Sequence, residues 1–168
     1  MFCRPTGSRK GRCYFSTFES RYAGVMYTLR PATEADYNWL LWLHHATMRE
    51  SVEQIWGWDE ARQDTYFQEH FDPTLCQIVQ VGGCDVGLIE VDWGQTHVFL
   101  SNIQVAPDRQ GSGLGTRLIR DLQEQARRAG RAVALQVNRA NRARRLYAWL
   151  GFQVIGETDT HFRMRWQG

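Results

Sequence analysis

The chain of 168 residues contains a single lysine, Lys10, so almost all of its positive charge is arginine. Cysteine is sparse as well. Cys3, Cys13, Cys76 and Cys84 form no Cys-x-x-Cys pair and no ligand spacing with histidine. A disulfide framework is unusual in a domain of this length, so a reducing compartment, the cytoplasm, is expected. The histidines are scattered, and adjacent His44 and His45 fall on different sides of a helix, so no metal site is expected. No 18-residue apolar run occurs, which argues against a transmembrane helix. Internal repeats and low-complexity linkers are also missing. What is present is a 43% hydrophobic composition, enough to build the core of one domain.

The net charge of +2 conceals three unlike segments. Residues 1–25 carry Arg4, Arg9, Lys10, Arg12 and Arg21 against Glu19 alone and show no apolar periodicity. They have no apolar stretch of the secretory kind and are expected to be a disordered extension, or to precede a true start at Met26. The patterned sequence begins there, so the domain is expected to span 26–168. From Met26 to Asp92 there are 12 acidic residues and 3 arginines, a net of −9. From Trp93 to Gly168 there are 5 acidic residues and 12 arginines, a net of +7. One half suits cationic ligands and the other anionic ones.

Periodicity gives the order β-α-α-β-β-β-α-β-α-β-β. "TLRP" reads as an opening strand. Thr33 is then a natural helix cap with Asp36 three residues on. That helix carries Leu40, Leu43 and Thr47 near one face, beside Trp39 and Trp42. Gly57 breaks it, and a second helix starts around Asp59 and Glu60 and ends by Asp72-Pro73. Three strands follow at 75–81, 86–93 and 97–105, close enough for an antiparallel meander. A helix runs from about Gly113 to Ala129, with Leu114, Leu118, Leu122, Ala126 and Ala129 on one face and Gly130 as its stop. "AVALQV" is a buried strand by its continuous apolar run. Ala143, Leu146, Tyr147 and Leu150 share a helix face, and "FQVIGE" and "HFRMRW" close the chain as strands. The fold expected is α/β, a mixed sheet with helices on its faces.

The stretch "VAPDRQGSGLGTRLI" places Gly111, Gly113 and Gly115 at alternate positions before a helix. A nucleotide P-loop requires Gly-Lys-Ser/Thr, and Gly115 is followed by Thr116 and Arg117. A dinucleotide loop requires Gly-x-Gly-x-x-Gly between parallel strands, whereas the spacing here follows an antiparallel meander. What remains is an anion held by successive backbone N–H groups and the positive end of a helix.

The run Gln110-Gly111-Ser112-Gly113-Leu114-Gly115 resembles the pyrophosphate loop of the GNAT superfamily of N-acetyltransferases, with Gln110, Gly113 and Gly115 at its three fixed positions. "LRPATEADY", "NIQVAPDRQ" and "NRANRARRLYAWLGF" resemble the same family, so the likeness covers residues 27–166. It implies a GNAT-like sheet, an antiparallel meander joined to a splayed parallel strand pair, and acetyl-CoA as acyl donor with no metal. In similar proteins pantetheine pairs with the splayed strand, here Ile103, Gln104 and Val105. Gln110 to Thr116 would hold the pyrophosphate, with Asn138 and Asn141 beside the cofactor; a helix cap is the other reading of Asn141. Arg142 and Arg145 would reach the adenosine phosphate or form a solvated face.

Tyr147 matches the tyrosine that protonates the departing thiolate in many members of the family. No fixed base carries over. Glu90 and Asp92, on one face of the middle meander strand, are candidates, Glu90 first, as are Glu53, Asp59 and Glu60 near the helical break. "ESVEQIWGWDE" falls where similar proteins shape the acceptor pocket, so Glu53, Trp56 and Trp58 are candidate contacts to a cationic amine, by charge and cation–π attraction. The expected activity is acetyl transfer to a primary amine of a small molecule or peptide, in a ternary complex, by a monomer or homodimer. The alternative is a GNAT-like sensor that binds acyl-CoA without turnover. The arginine-rich 139–150 helix is a basic footprint only, and neither nucleic acid nor a membrane is expected as a partner.

Overall fold

The computed structural model describes residues 26–168. The expectation for residues 1–25 therefore lies outside the described residues. Strand β1 (Thr28–Pro31) is followed by helices α1 (Tyr37–Trp56) and α2 (Glu60–His70). The meander β2 (Cys76–Val81), β3 (Cys84–Trp93) and β4 (His97–Val105) leads to α3 (Leu114–Arg128) and β5 (Ala132–Asn138). Helix α4 (Ala143–Trp149) and strands β6 (Gln153–Glu157) and β7 (His161–Trp166) complete the domain. One seven-stranded mixed sheet results, in the order β1-β2-β3-β4-β5-β7-β6. Only the β4–β5 pairing is parallel. The element order is the one the periodicity predicts.

Small departures have local causes. Strand β3 begins at Cys84, two residues before its predicted start, because Gly82 and Gly83 alone make the turn at φ 59° and 79°. Positive φ at both central residues is what a two-residue hairpin needs. At α1, a single 3-10 turn (Glu34–Asp36) precedes the helix. The Asp36 carboxylate accepts the Thr33 N–H at 2.8 Å and pairs with Arg30 at 2.8 Å. Arg30 also pairs with Asp85 at 2.5 Å, so one guanidinium ties β1, this turn and β3 together. Helix α3 ends at Arg128, which leaves Ala129 exposed beyond its apolar face. Gly130 follows at φ 65°.

Strand alternation sends neighbouring side chains to opposite faces. On one face Val79, Ile89, Val98, Leu100, Val133, Leu135 and Met164 pack against Leu118, Ile119 and Leu122 of α3 and Leu150 after α4. On the other, Ile78 and Leu88 pack under Leu40 and Leu43 of α1, with Phe67 of α2 at the margin. Tyr27 donates to Asp121 of α3 at 2.8 Å, and Arg117 meets the same carboxylate at 2.9 Å. Among the described residues, no helix is long and apolar enough to cross a membrane.

Candidate active site

The sheet opens at one place. Strands β4 and β5 pair only over His97–Leu100 and Ala132–Leu135. Beyond that, β4 continues to Val105 on β3 alone, and β5 continues to Asn138 on β7 alone. The divergence starts at a bulge. Glu90 faces Asn102 and Val91 faces Leu100, so Ser101 has no partner on β3. An extra residue bends a strand and increases its twist. The bend turns β4 away from β5 and leaves backbone N–H and C=O groups along the opened edge in need of partners. Ile103, Gln104 and Val105 lie in this stretch. The Val105 carbonyl accepts Gln110 Nε2 at 2.9 Å. Ile103 and Val105 pack toward α3, while Gln104 is buried on the opposite face.

The glycine loop follows directly. Gly111 and Gly113 take φ 73° and 86°, a region closed to most side chains, and a Cβ built on either meets nothing within 4 Å. The space above the loop is open. Ser112 Oγ donates to the Arg109 carbonyl at 2.6 Å, which fixes the loop from within. Gly115 is helical and would place a Cβ 3.9 Å from Leu146, an ordinary contact. The first helical N–H with a backbone acceptor is that of Arg117, on Gly113 at 3.0 Å. The N–H groups of Leu114, Gly115 and Thr116 therefore point out of the helix start, where the dipole favours an anion. The loop's geometry suits a pyrophosphate.

Tyr147 sits on α4, buried, with its ring edge-on to Phe152 at 5.8 Å. Burial pushes its phenol up to about 12. Among the described residues, none hydrogen-bonds its hydroxyl. Helix α4 is held at its end by Gln123, which donates to the Leu150 carbonyl at 2.9 Å. Asn138 and Asn141 shape the turn before it. Asn138 Oδ1 accepts the Ala140 N–H at 2.8 Å, and its Nδ2 donates to Ser51 O of α1 at 3.4 Å. Asn141 Oδ1 accepts the Ala143 N–H at 2.8 Å, the geometry of a helix cap. Arg142 reaches across to Glu50 of α1 at 2.6 Å.

Glu90 is half-buried on the α1 side of β3, beside the bulge. Cys76 of β2 donates its thiol to Glu90 Oε1 at 2.9 Å. Asp92 is exposed. The end of α1 distributes the other candidates. Glu53 is exposed, and its carbonyl accepts the Gly57 N–H at 3.1 Å. Trp56 leans toward β7, 6.0 Å from the His161 ring. Trp58 turns back on α1, edge-on to His45 at 5.3 Å and under the Arg49 guanidinium at 5.5 Å. The structure does not bring the two tryptophan rings together, and the cation facing Trp58 is the protein's own Arg49.

Three side chains of this region are placed where the sequence carries no signal; Gln104 is expected only as a backbone partner of the cofactor. Gln104 reads as an ordinary strand glutamine. His161 reads as an alternating polar position, yet it is buried opposite Asn138, with Nδ1 2.9 Å from Thr160 Oγ1. Burial holds His161 below the usual histidine range. Ser51 looks like a helix-surface serine, but α1 presses it onto the sheet.

The parallel strand pair thus parts at a bulge, and the glycine loop and the start of α3 stand at the mouth of the gap. Residues 38–152 match the model of the acetyltransferase (GNAT) family, and the chain belongs to that family. No curated relative matches the sequence. Among solved structures, the chain is similar to the PaiA N-acetyltransferase of Thermoplasma acidophilum in complex with coenzyme A, at 16% identity and TM-score 0.71 over 84% of this chain and 99% of that one. It is similar to an acetyltransferase of Thermus thermophilus at 18% identity and TM-score 0.66, over 86% of this chain and 99% of that one. The ribosomal-protein-S18-alanine N-acetyltransferase of Escherichia coli matches at 22% identity and TM-score 0.57, over 84% and 94% of the two chains. At these identities the likeness shows the fold.

Proposed function

We propose that the protein transfers the acetyl group of acetyl-CoA to a primary amine of a small molecule or peptide, by direct attack within a ternary complex. The observation that carries this reading is the gap between β4 and β5 running into the open glycine loop. Ile103, Gln104 and Val105 offer backbone groups to pantetheine. Gln110, Gly111, Ser112, Gly113, Leu114, Gly115 and Thr116 surround the pyrophosphate. Asn138 and Asn141 keep the far wall in place through the turn they stabilise.

The amine nitrogen attacks the thioester carbon, a C–N bond forms, and the C–S bond breaks. A cationic amine first gives up one proton to solvent, and Glu90 takes the second as the neutral nitrogen attacks. Tyr147 gives its proton to the departing thiolate. A phenol raised to about 12 stays protonated throughout the working range and so hydrogen-bonds the departing sulfur; because a thiol titrates at about 8.5, the transfer is completed only as solvent re-protonates the phenol. The acidic segment 26–92 favours approach of a cationic amine.

Tyr147→Phe tests the acid. It should lower kcat by about a hundredfold and leave acetyl-CoA affinity within about twofold. Unchanged kcat removes the acid role from Tyr147. Absence of acetyl-CoA binding by the wild-type protein in calorimetry overturns the whole reading.

A further inference from the structure

Gln104 is 5% exposed, and only one end of its amide is satisfied. Its Nε2 donates to Asn102 Oδ1 at 3.3 Å, while Oε1 is buried with no hydrogen-bond partner. Turning the Gln104 amide round would set its oxygen against Asn102 Oδ1, two acceptors face to face, so the end without a partner is the acceptor Oε1. A buried polar atom in this state is costly, and a ligand that pairs with it removes the cost.

The register shows where this atom belongs. Gln104 pairs with Leu88, whose side chain packs under α1, and Asn102 pairs with Glu90. Glu90, Asn102 and Gln104 therefore share the α1 face of the sheet, in the stretch where β4 has lost β5. The opened edge of β4 presents backbone groups, in the plane of the sheet. The Gln104 side chain stands out of that plane. It shares its face with Glu90 and does not enter the slot between the strands.

We propose that Gln104 selects the acceptor by accepting a neutral N–H adjacent to the reacting amine, so that the acceptors are peptide N-termini and aminoacyl amides. This rests on the transferase reading above. A second ammonium, as in a diamine, would need a carboxylate of its own beside Gln104, and Glu90 on this face is taken by the reacting nitrogen. Gln104 has Asn102 as its partner, and an uncompensated buried charge is far more costly than a buried amide pair. A simple alkylamine would leave Oε1 orphaned.

The test uses the full chain with acetyl-CoA and a panel of Xaa-Ala-amide dipeptides, their analogues N-methylated at the first peptide nitrogen, linear alkylamines and putrescine. The wild-type protein should favour one or more dipeptide amides, and N-methylation should lower kcat/KM by about tenfold. Gln104→Leu should abolish that discrimination while acetyl-CoA affinity stays within about twofold. Equal rates for the two dipeptide series in the wild-type protein, or preference for alkylamines or putrescine, overturn the proposal. So does a Gln104→Leu loss that appears in acetyl-CoA affinity. If no amine is acetylated although acetyl-CoA binds, the transferase reading fails separately. Titration of the dipeptide amides into CoA-loaded protein then decides Gln104: binding weakened by N-methylation supports it, and equal or absent binding overturns it.

Discussion

The two faces of the sheet are built to different rules. The face under α3 and α4 is closed and apolar, with Leu118, Val133 and Met164 deep in one continuous cluster. The face under α1 and α2 is apolar only beneath the first half of α1, where Leu40 and Leu43 meet Ile78 and Leu88. Under the second half it turns polar. Of the buried polar residues among those described, His44, Ser51, Gln104, Asn138 and His161 lie on the α1 side. Only Gln123 belongs to α3, and its amide is spent on the Leu150 carbonyl. Burying polar groups costs stability unless each is paired. A domain that concentrates them on one face, next to an opening in its sheet, rests its stability on the opposite face.

This division yields variants that separate stability from binding. Leu118→Ala breaks the closed face and should cost about 3 kcal/mol of unfolding free energy, read by denaturant titration. Below its melting range, that variant should bind acetyl-CoA as the wild-type protein does. Gly113→Val acts in the opposite sense. It forces a β-branched residue into φ 86° and fills the open space above the loop, so acetyl-CoA affinity should fall by tenfold or more. The backbone penalty itself is about 1–2 kcal/mol and should leave the domain folded. Coupled losses in both variants would mean that the two faces are not separate.

Periodicity exposes the closed face, save that the expected stripe runs one residue too far, to the exposed Ala129. The α3 stripe of Leu114, Leu118, Leu122 and Ala126 is buried as its spacing requires. The loop is legible for another reason. Gly111 and Gly113 occupy backbone conformations that few other residues tolerate, so the sequence must declare them. The position of Gln104 on the splayed strand is legible, but the face its side chain takes is not, and the cause is Ser101. Without a bulge, Gln104 would fall on the same face as Val98 and Leu100. The unpaired Ser101 reverses the alternation, so Ile103 and Val105 join the α3 cluster and Gln104 is sent beneath α1. A register reversal leaves no mark in residue types. The polar contacts of α1 are hidden likewise, since they depend on the line along which the helix crosses the sheet.

The smallest expected effect lies in the α1–α2 layer and reads out as pH dependence. His44 is buried, its Nε2 is 3.1 Å from Gln63 Oε1, and the rings of Tyr66 and Phe67 lie at 6.5 and 5.5 Å. Burial holds its titration below the usual histidine range, with His45 pressing the same way and Gln63 and Asp64 opposing. The unfolded chain therefore binds this proton more readily than the folded one. The corresponding stability is complete above about pH 6.5 and is lost as the pH falls toward the folded value. His161 contributes with the same sign. The carboxylates around Arg30 do not enter this window. Asp36 and Asp85 are held below the usual carboxylate range, so their contribution is lost only below about pH 4. The melting temperature of the wild-type protein should thus drop between pH 7.5 and 5. His44→Asn, which cannot titrate, should recover part of that drop. An unaltered pH slope in the variant would place the acid sensitivity elsewhere, first at His161.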